Sequence, residues 1–316
     1  TKYERGRNFD DPPKLSSGCT MVVNPLTHIG GIYGCIAALA AGRKIALLEK
    51  FSVEAWVAAV KHNRPAVAPA VPSAVRMLLD ADVDPADLAS LRALISGTAP
   101  LPADLVDAFL DKYGIPICGN YGATEFAGAI AGWTIDDFRS YWEQKRGAVG
   151  RVHGDIEARI VDSGSGAILS NGEEGLLELK GKQLHNDMQW LRTTDRAVLD
   201  ADHFLYIKGR ADNAIIRGGF KVHPDDVVRV LNDHPAIREA AVVGVPDRRL
   251  GAVPAAAIIL KESAAEPAVD ELKTWLKSRL IAYQVPVHFR YVADFPRTPS
   301  MKPSAPGLLT LFEGVA

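Results

Sequence analysis

Residues 91–125 read LRALISGTAPLPADLVDAFLDKYGIPICGNYGATE, and their order decides the fold. "LRALISG" is a short apolar run stopped by a glycine and predicts a buried strand. "PADLVDAFLDKYG" predicts an amphipathic helix. Pro102 suits its first turn, Leu105, Phe109 and Tyr113 share one face, and Gly114 ends it. "IPICGN" predicts the next strand. A strand, a crossover helix and a second strand predict an α/β layer with a mostly parallel sheet. Loops that leave the C-terminal ends of such strands are where ligands bind. Two loops here qualify: "SGTAPL" (96–101) and "GNYGATEFAG" (119–128). The second sets Tyr121, Thr124 and Glu125 among Gly119, Gly122 and Gly128, a poor recipe for a helix or strand interior.

Upstream, the same alternation continues. "KIALLE" (44–49) predicts a strand, and "SVEAWVAAVKHN" (52–63) predicts a helix with Ser52 as N-cap. "PAVAPAV" (65–71) is a strand weakened by its prolines, and "SAVRMLLDA" (73–81) is a helix. "IGGIYGCIAALAAG" (29–42) is too short for a membrane span and predicts a buried helix. The chain opens on a polar stretch, "TKYERGRNFDDPPK".

Downstream, the texture changes near residue 147. "IEARIVD", "SGSGAILSNGEEG" and "GLLELKG" predict antiparallel strands with glycine-rich turns, a small β subdomain over 147–208. "PDDVVRVLNDH", "EAAVVGV", "AAAIIL" and "VDELKTWLKSRLIAY" then predict a compact α+β unit within 209–316, with Leu272, Leu276 and Leu280 on one helix face. "GLLELKGK" only superficially resembles a phosphate loop, because its spacing is wrong and no Ser or Thr follows Lys182.

Composition is that of an ordinary soluble protein: 316 residues, 47% hydrophobic and 23% charged. A formal net charge of −2 gives no polycationic surface for nucleic acid. Cys19, Cys35 and Cys118 form no CxxC pair, which predicts a reduced, cytosolic protein without disulfides or a zinc site. No signal peptide or membrane span is visible, and a homo-oligomer is compatible with everything above.

Five stretches together resemble one family. "YGATE" (121–125) resembles a Y-G-x-T-E motif, and "SGTAPL" resembles S-G-G-A-P-L. "PLTHIGG" (25–31) resembles P-L-F-H-x-G-G. "TTDRAVLDADHFLYIKGRADNAIIRGGFKV" (193–222) resembles the T-G-D … G-R-x-D-D … G-G-F-x-V block, and "PRTPSMK" (296–302) resembles P-R-T-P-S-G-K. In this order they resemble the adenylate-forming superfamily of acyl-CoA synthetases, carrier-loading adenylation domains and luciferases. The resemblance spans nearly all of the chain.

The resemblance implies a two-step reaction. A carboxylate attacks the α-phosphate of Mg-ATP, giving acyl-adenylate and pyrophosphate. A thiol, usually coenzyme A, then displaces AMP. It also implies a C-terminal domain over 209–316 that swings about a hinge between the steps, after a partial large domain over 1–208 with its α/β layer in 1–146. The implied partners are a small carboxylic acid, ATP and CoA.

The resemblance implies a role for each matching residue. Tyr121 stacks on adenine, and Gly122 shares its loop; in isolation, Tyr121 reads as a buried core tyrosine. Thr124 donates to a phosphate oxygen, although it also suits a helix N-cap. Glu125 holds Mg²⁺, which needs only one or two carboxylates beside phosphate and water. Gly97, Thr98 and Ala99 let the backbone approach adenine or ribose. Asp195 accepts the ribose hydroxyls. Arg210 adds a cationic contact. Asp212 is the hinge, and Gly218 and Gly219 line the thiol tunnel. His28 and Ala123 border the acyl pocket. Lys302 reaches the carboxylate and α-phosphate and stabilises the charge that develops there.

The sequence departs from the family at several positions. Thr194 stands for the glycine of T-G-D, Met301 for that of P-S-G-K, and His203 for that of D-G-Y/F. The Ser/Thr/Gly-rich loop ending in P-K-G that wraps the triphosphate is not among the 316 residues. The expectation is therefore an acyl-CoA ligase represented by its C-terminal two-thirds, with little activity alone. The alternatives are an enzyme that loads a carrier protein and a degenerate, non-catalytic AMP-binding member. The acid itself is not readable.

Overall fold

The structure, a computed structural model, describes residues 15–184 and 188–314, so the polar opening stretch lies outside the described residues. Strands β1 (Cys19–Val22) and β2 (Lys44–Leu47) pair in parallel and are joined by helix α1 (Ile29–Ala40). The expectation of a buried helix here is corrected. Only Gly31 and Ala38 of α1 are buried, while Ile36 and Leu39 are 60% and 70% exposed. The inner side is its small residues. Gly31 lies so close to the backbone of Asn24 and Pro25 that a Cβ would clash, and the large apolar side chains face outward.

Helix α2 (Val53–Asn63) begins where Ser52 accepts a hydrogen bond from the Ala55 amide, and it buries Trp56 and Val60. Strand β3 (Val67–Pro69), helix α3 (Pro72–Asp80), strand β4 (Ala93–Ser96), helix α4 (Ala103–Tyr113) and strand β5 (Ile117–Ala123) follow. The strands β3, β4 and β5 are parallel neighbours. Pro102 is the N-cap of α4, and Gly114 closes that helix in the left-handed region at φ 66°. Leu105 and Phe109 meet Trp56, Leu78 and Leu94 in one core.

Strand β6 (Gly128–Gly132), helix α5 (Ile135–Tyr141) and strands β7 (Gly150–Val152), β8 (Ile156–Val161), β9 (Glu174–Gly181), β10 (Leu191–Leu199) and β11 (Phe204–Arg210) complete this part. Nine strands form one sheet in the order β3-β4-β5-β6-β7-β11-β10-β9-β8. The switch from parallel to antiparallel falls between β5 and β6. The two textures seen in the sequence are thus one continuous sheet. Its parallel side carries the Trp56–Phe109 core, and its antiparallel side a second core around Ile130, Leu177 and Leu205. "GLLELKGK" is β9 and the turn after it, as its strand pattern requires. Glu178 on β9 is buried, and Arg159 and Arg192 pair with it at 2.6 and 2.8 Å.

The rest is a five-stranded sheet. Strands β12 (Ile215–Arg217) and β13 (Phe220–Val222), helix α6 (Pro224–Asn232), strands β14 (Ile237–Asp247) and β15 (Gly251–Leu260), helix α7 (Val269–Lys277), strand β16 (His288–Tyr291) and helix α8 (Ala305–Thr310) run in that order. Strand β15 is central, antiparallel to β14 and parallel to β16. Alternate residues of β14 and β15 face opposite cores. Ala240, Val242, Ala256 and Ile258 meet Leu272 and Leu276 of α7. Ala241, Val243, Ala257 and Ile259 meet Phe295, Leu308 and Phe312. A strand buried on both faces explains the unbroken "AAAIIL". Leu280 packs on the first core from beyond the end of α7. The fold class is α/β with a small C-terminal α+β unit, as expected. No described helix is long and apolar enough to cross a membrane.

Candidate active site

The stretch 119–128 is not the loop its glycines suggest. Strand β5 continues through Tyr121 and Gly122 to Ala123, and then turns back through a 3₁₀ turn, Thr124–Phe126, into β6. The glycines serve this hairpin. A Cβ on Gly122 would strike the Gly128 carbonyl, and the register slips between Tyr121 and Gly122. Tyr121 is half-buried, and its hydroxyl donates to Asp195 Oδ2 at 2.5 Å. Asp195 is held by its own strand: the Thr193 hydroxyl donates to the Leu177 carbonyl at 3.0 Å and accepts from the Asp195 amide at 3.1 Å. Across the ladder from Asp195 stands Arg210, whose guanidinium forks onto Asp212 at 2.8 and 2.5 Å. Thr124 and Glu125 are exposed on the turn. Thr124 is not an N-cap; Ala123 holds that position.

These groups share one electrostatic field. Burial, then the carboxylates of Asp195 and Glu125, push the Tyr121 phenol far above its ordinary range, with Arg210 opposing. The hydrogen bond to Asp212 holds Arg210 firmly protonated, and Asp195 and Glu125 add to this.

Beside them, at the end of β4, Gly97 leaves no room for a side chain because Asn120 Oδ1 occupies the space of a Cβ. Thr98 has a φ of 69°, in the left-handed region. The hydroxyls of Ser96 and Thr98 are buried without a hydrogen-bond partner.

Lys302 lies in a different setting. It ends the tight loop after Phe295, where Thr298 N–H donates to the Lys302 carbonyl at 2.8 Å and Lys302 N–H donates to Thr298 Oγ1 at 3.2 Å. Arg297 braces the loop through Glu239 and Asp294 at 2.8 and 2.9 Å. A hydrogen bond joins it to helix α3, Ser73 Oγ to the Met301 carbonyl at 3.4 Å. Burial lowers the Lys302 pKa. Burial and then the charge of Lys302 lower that of His28. His28 Nδ1 also accepts from the Gly30 amide at 3.1 Å, capping α1, which requires neutral imidazole. The Lys302 ammonium makes no ion pair or hydrogen bond among the described residues. The structure thus joins Tyr121, Glu125, Asp195 and Arg210 in one group and His28 with Lys302 in another, without contact between the groups. Gly218 and Gly219 form the β12–β13 turn, at φ 57° and 89°. A surface cleft of about 580 Å³ along α7, bordered by His234, includes none of these residues.

Residues 7–186 match the AMP-binding enzyme family, and residues 229–302 match the AMP-binding enzyme C-terminal domain. This chain belongs to the AMP-binding enzyme family. Similar proteins include 4-coumarate–CoA ligase 3 of Oryza sativa subsp. japonica, 32% identical over 88% of this chain and 53% of that protein. 4-Coumarate–CoA ligase 1 of Solanum tuberosum is 30% identical over 91% of this chain and 55% of that protein. The chain therefore spans about half the length of the curated relatives it matches. The amide bond synthetase of Marinactinospora thermotolerans superposes with a TM-score of 0.77 at 29% identity, over 96% of this chain and 63% of that one. The o-succinylbenzoate CoA synthetase of Bacillus subtilis, in complex with its acyl-adenylate intermediate, gives 0.74 at 26% identity, over 97% and 62%.

At three of the positions where the family motifs have glycine, the backbone lies in the left-handed region that glycine favours. Thr98, His203 and Met301 have φ of 69°, 63° and 65°. Thr194 differs, because it lies within β10. Its carbonyl accepts from the Ala211 amide at 2.8 Å, and its hydroxyl joins Arg210 in lowering the pKa of Asp212. Asn120 and Ser73 were given no role in the sequence reading. Asn120 stands beside Tyr121 in the quoted motif, but its closeness to Gly97 is a contact between strands that no spacing reports. Ser73 meets Met301 from 228 residues away.

Proposed function

We propose that these residues form the nucleotide and lysine portions of an ATP-dependent acid–CoA ligase. The observation that carries this is the group of Tyr121, Asp195, Arg210 and Glu125, drawn together from β5, its turn, β10 and β11. Tyr121 offers a ring held in place at its hydroxyl, suited to stacking on adenine. One Asp195 oxygen is occupied by Tyr121, which leaves the other for the ribose hydroxyls. The exposed Thr124 hydroxyl suits a phosphate oxygen. Glu125, a single exposed carboxylate beside that hydroxyl, fits a Mg²⁺ whose remaining ligands are phosphate and water. Bound there, the ion would neutralise phosphate charge. Lys302, beside His28, would stabilise the charge on the carboxylate and α-phosphate as the carboxylate oxygen attacks phosphorus and pyrophosphate leaves. The thiol of coenzyme A would then lose its proton and attack the acyl carbonyl, expelling AMP.

The departures at Thr194, His203 and Met301 and the absent P-K-G loop are what favour a non-catalytic member. His203 and Met301 have the left-handed backbone that suits glycine, which favours the catalytic reading at those two positions. The 316 residues contain no P-K-G phosphate loop, so alone they should show little exchange. ATP–pyrophosphate exchange with a panel of acids, in a full-length protein that carries the phosphate loop, tests the reading. Acid-dependent exchange followed by acyl-CoA supports it, and acylated carrier protein instead of acyl-CoA replaces the acceptor. Wild-type exchange that survives in Lys302→Ala would refute the assignment of the lysine.

A further inference from the structure

We propose that the Thr98 hydroxyl selects the acid, favouring a carboxylic acid with a second hydrogen-bonding group, a hydroxyl or carboxylate, over the same acid without it. This rests on the ligase reading. Thr98 combines two unfavourable features at one position. It is β-branched and sits at φ 69°, a conformation that glycine adopts freely. Its hydroxyl is also buried without a partner, as is that of Ser96, whose residue is 1% exposed. Buried polar groups are nearly always paired in folded proteins, and an unpaired one bears its full desolvation cost. Strain and an orphaned donor at the C-terminal end of a parallel strand mark a position kept for a ligand rather than for stability.

The sheet order says which part of the ligand. Strand β4 lies between β3 and β5. Ser73, just beyond β3, holds the Lys302 loop, and Tyr121 stands on β5. The strand that leads into Thr98 therefore lies between the strand that leads to the Ser73–Met301 contact and the strand that carries Tyr121. The resemblance gives adenine and ribose the backbone of Gly97, Thr98 and Ala99 beside Tyr121 and Asp195, which leaves the Thr98 hydroxyl without a role there. The acyl portion is what remains for Thr98.

Two variants of the full-length protein that carries the phosphate loop test this. Thr98→Val keeps the shape and removes the hydroxyl; Thr98→Ser keeps the hydroxyl. Without ligand, Thr98→Val should melt about 2–4 °C higher, because an unpaired buried hydroxyl has been replaced by a methyl. With matched acids (hydroxycinnamate against methylcinnamate, succinate against butyrate), wild type and Thr98→Ser should prefer a polar member in kcat/KM. Thr98→Val should lose that preference by about 10-fold or more. An unchanged preference in Thr98→Val, or an unchanged melting point, overturns the inference alone. Equal losses on all acids with a raised KM for ATP also overturn it, by giving the hydroxyl to the nucleotide. A wild-type enzyme that adenylates no acid overturns the ligase reading itself.

Discussion

The Tyr121 end and the Lys302 end of the candidate site are built in opposite ways. Tyr121, Asp195 and Arg210 stand on interior strands of the nine-stranded sheet, where ladder partners and the Thr193 hydroxyl fix them. Lys302 stands on a short loop of the five-stranded sheet, which a 3.4 Å hydrogen bond from Ser73 to the Met301 carbonyl joins to the larger part. On the proposed function, the Tyr121 group would gain from fixed geometry, whereas Lys302, needed for one step of two, would have to be able to leave. Changes at the two ends should therefore separate chemistry from binding. The largest separation is expected from Lys302→Ala. Exchange should fall by about 100- to 1000-fold, as when one preorganised donor to a transition-state charge is lost. AMP affinity, measured by calorimetry, should move less than about 2-fold. Parallel losses in both would erase the distinction between the ends.

Tyr121→Phe probes the other end. It leaves the Asp195 carboxylate without its 2.5 Å partner. The expected loss is about 1.5–3 kcal/mol of stability, typical of hydrogen bonds to charged groups, seen as a lower urea midpoint with an unchanged slope. AMP binding should weaken as well, because the ring loses its tether. A variant as stable as wild type would mean that the Tyr121–Asp195 bond does not organise this end.

The two ends also differed in how well the sequence foretold them. Along residues 91–125, local signals sufficed: Gly114 ended α4, Ser52 began α2, and apolar spacing named Leu105 and Phe109. Two readings failed for one physical reason. The stretch 119–128 looked like a loop because glycines disfavour strands, but Gly122 was demanded by a close hairpin crossing and Gly128 by a φ of 132°. The run 29–42 looked buried because it is apolar, yet burial depends on what packs against a helix, and its large side chains face outward. Motif order brought out Tyr121, Asp195 and Lys302. It could not report that the first two touch, that Lys302 neighbours His28, or that Thr98 and Met301 keep a glycine backbone. Those facts belong to tertiary geometry.

The pH response should also separate the ends. Burial places the Lys302 pKa below the ordinary lysine value of 10.5. Its ammonium is present below that lowered pKa and is lost as pH rises through it. Exchange should therefore fall on the alkaline side earlier than an exposed lysine would allow, and Lys302→Arg should remove that limb. AMP binding should not follow it, because Tyr121 is pushed in the other direction and stays a neutral phenol. A binding curve that tracks the exchange curve would place the titrating group at the nucleotide end.

The smallest effect is expected where the two parts of the molecule merely touch. Arg238 on β14 pairs with Asp80 at the end of α3 at 3.0 Å, and Arg196 on β10 pairs with Asp226 on α6 at 3.3 Å. Partly exposed pairs of this kind contribute about 0–1 kcal/mol and are screened by salt. Asp80→Asn should leave the melting temperature within about 2 °C of wild type. It should shift small-angle scattering toward more open arrangements at low salt, with the difference from wild type vanishing near 1 M salt. A large loss of stability would show that the contact between the two sheets is a fixed interface. The Lys302 loop would then be as firmly placed as Tyr121, and the contrast between the two ends would not hold.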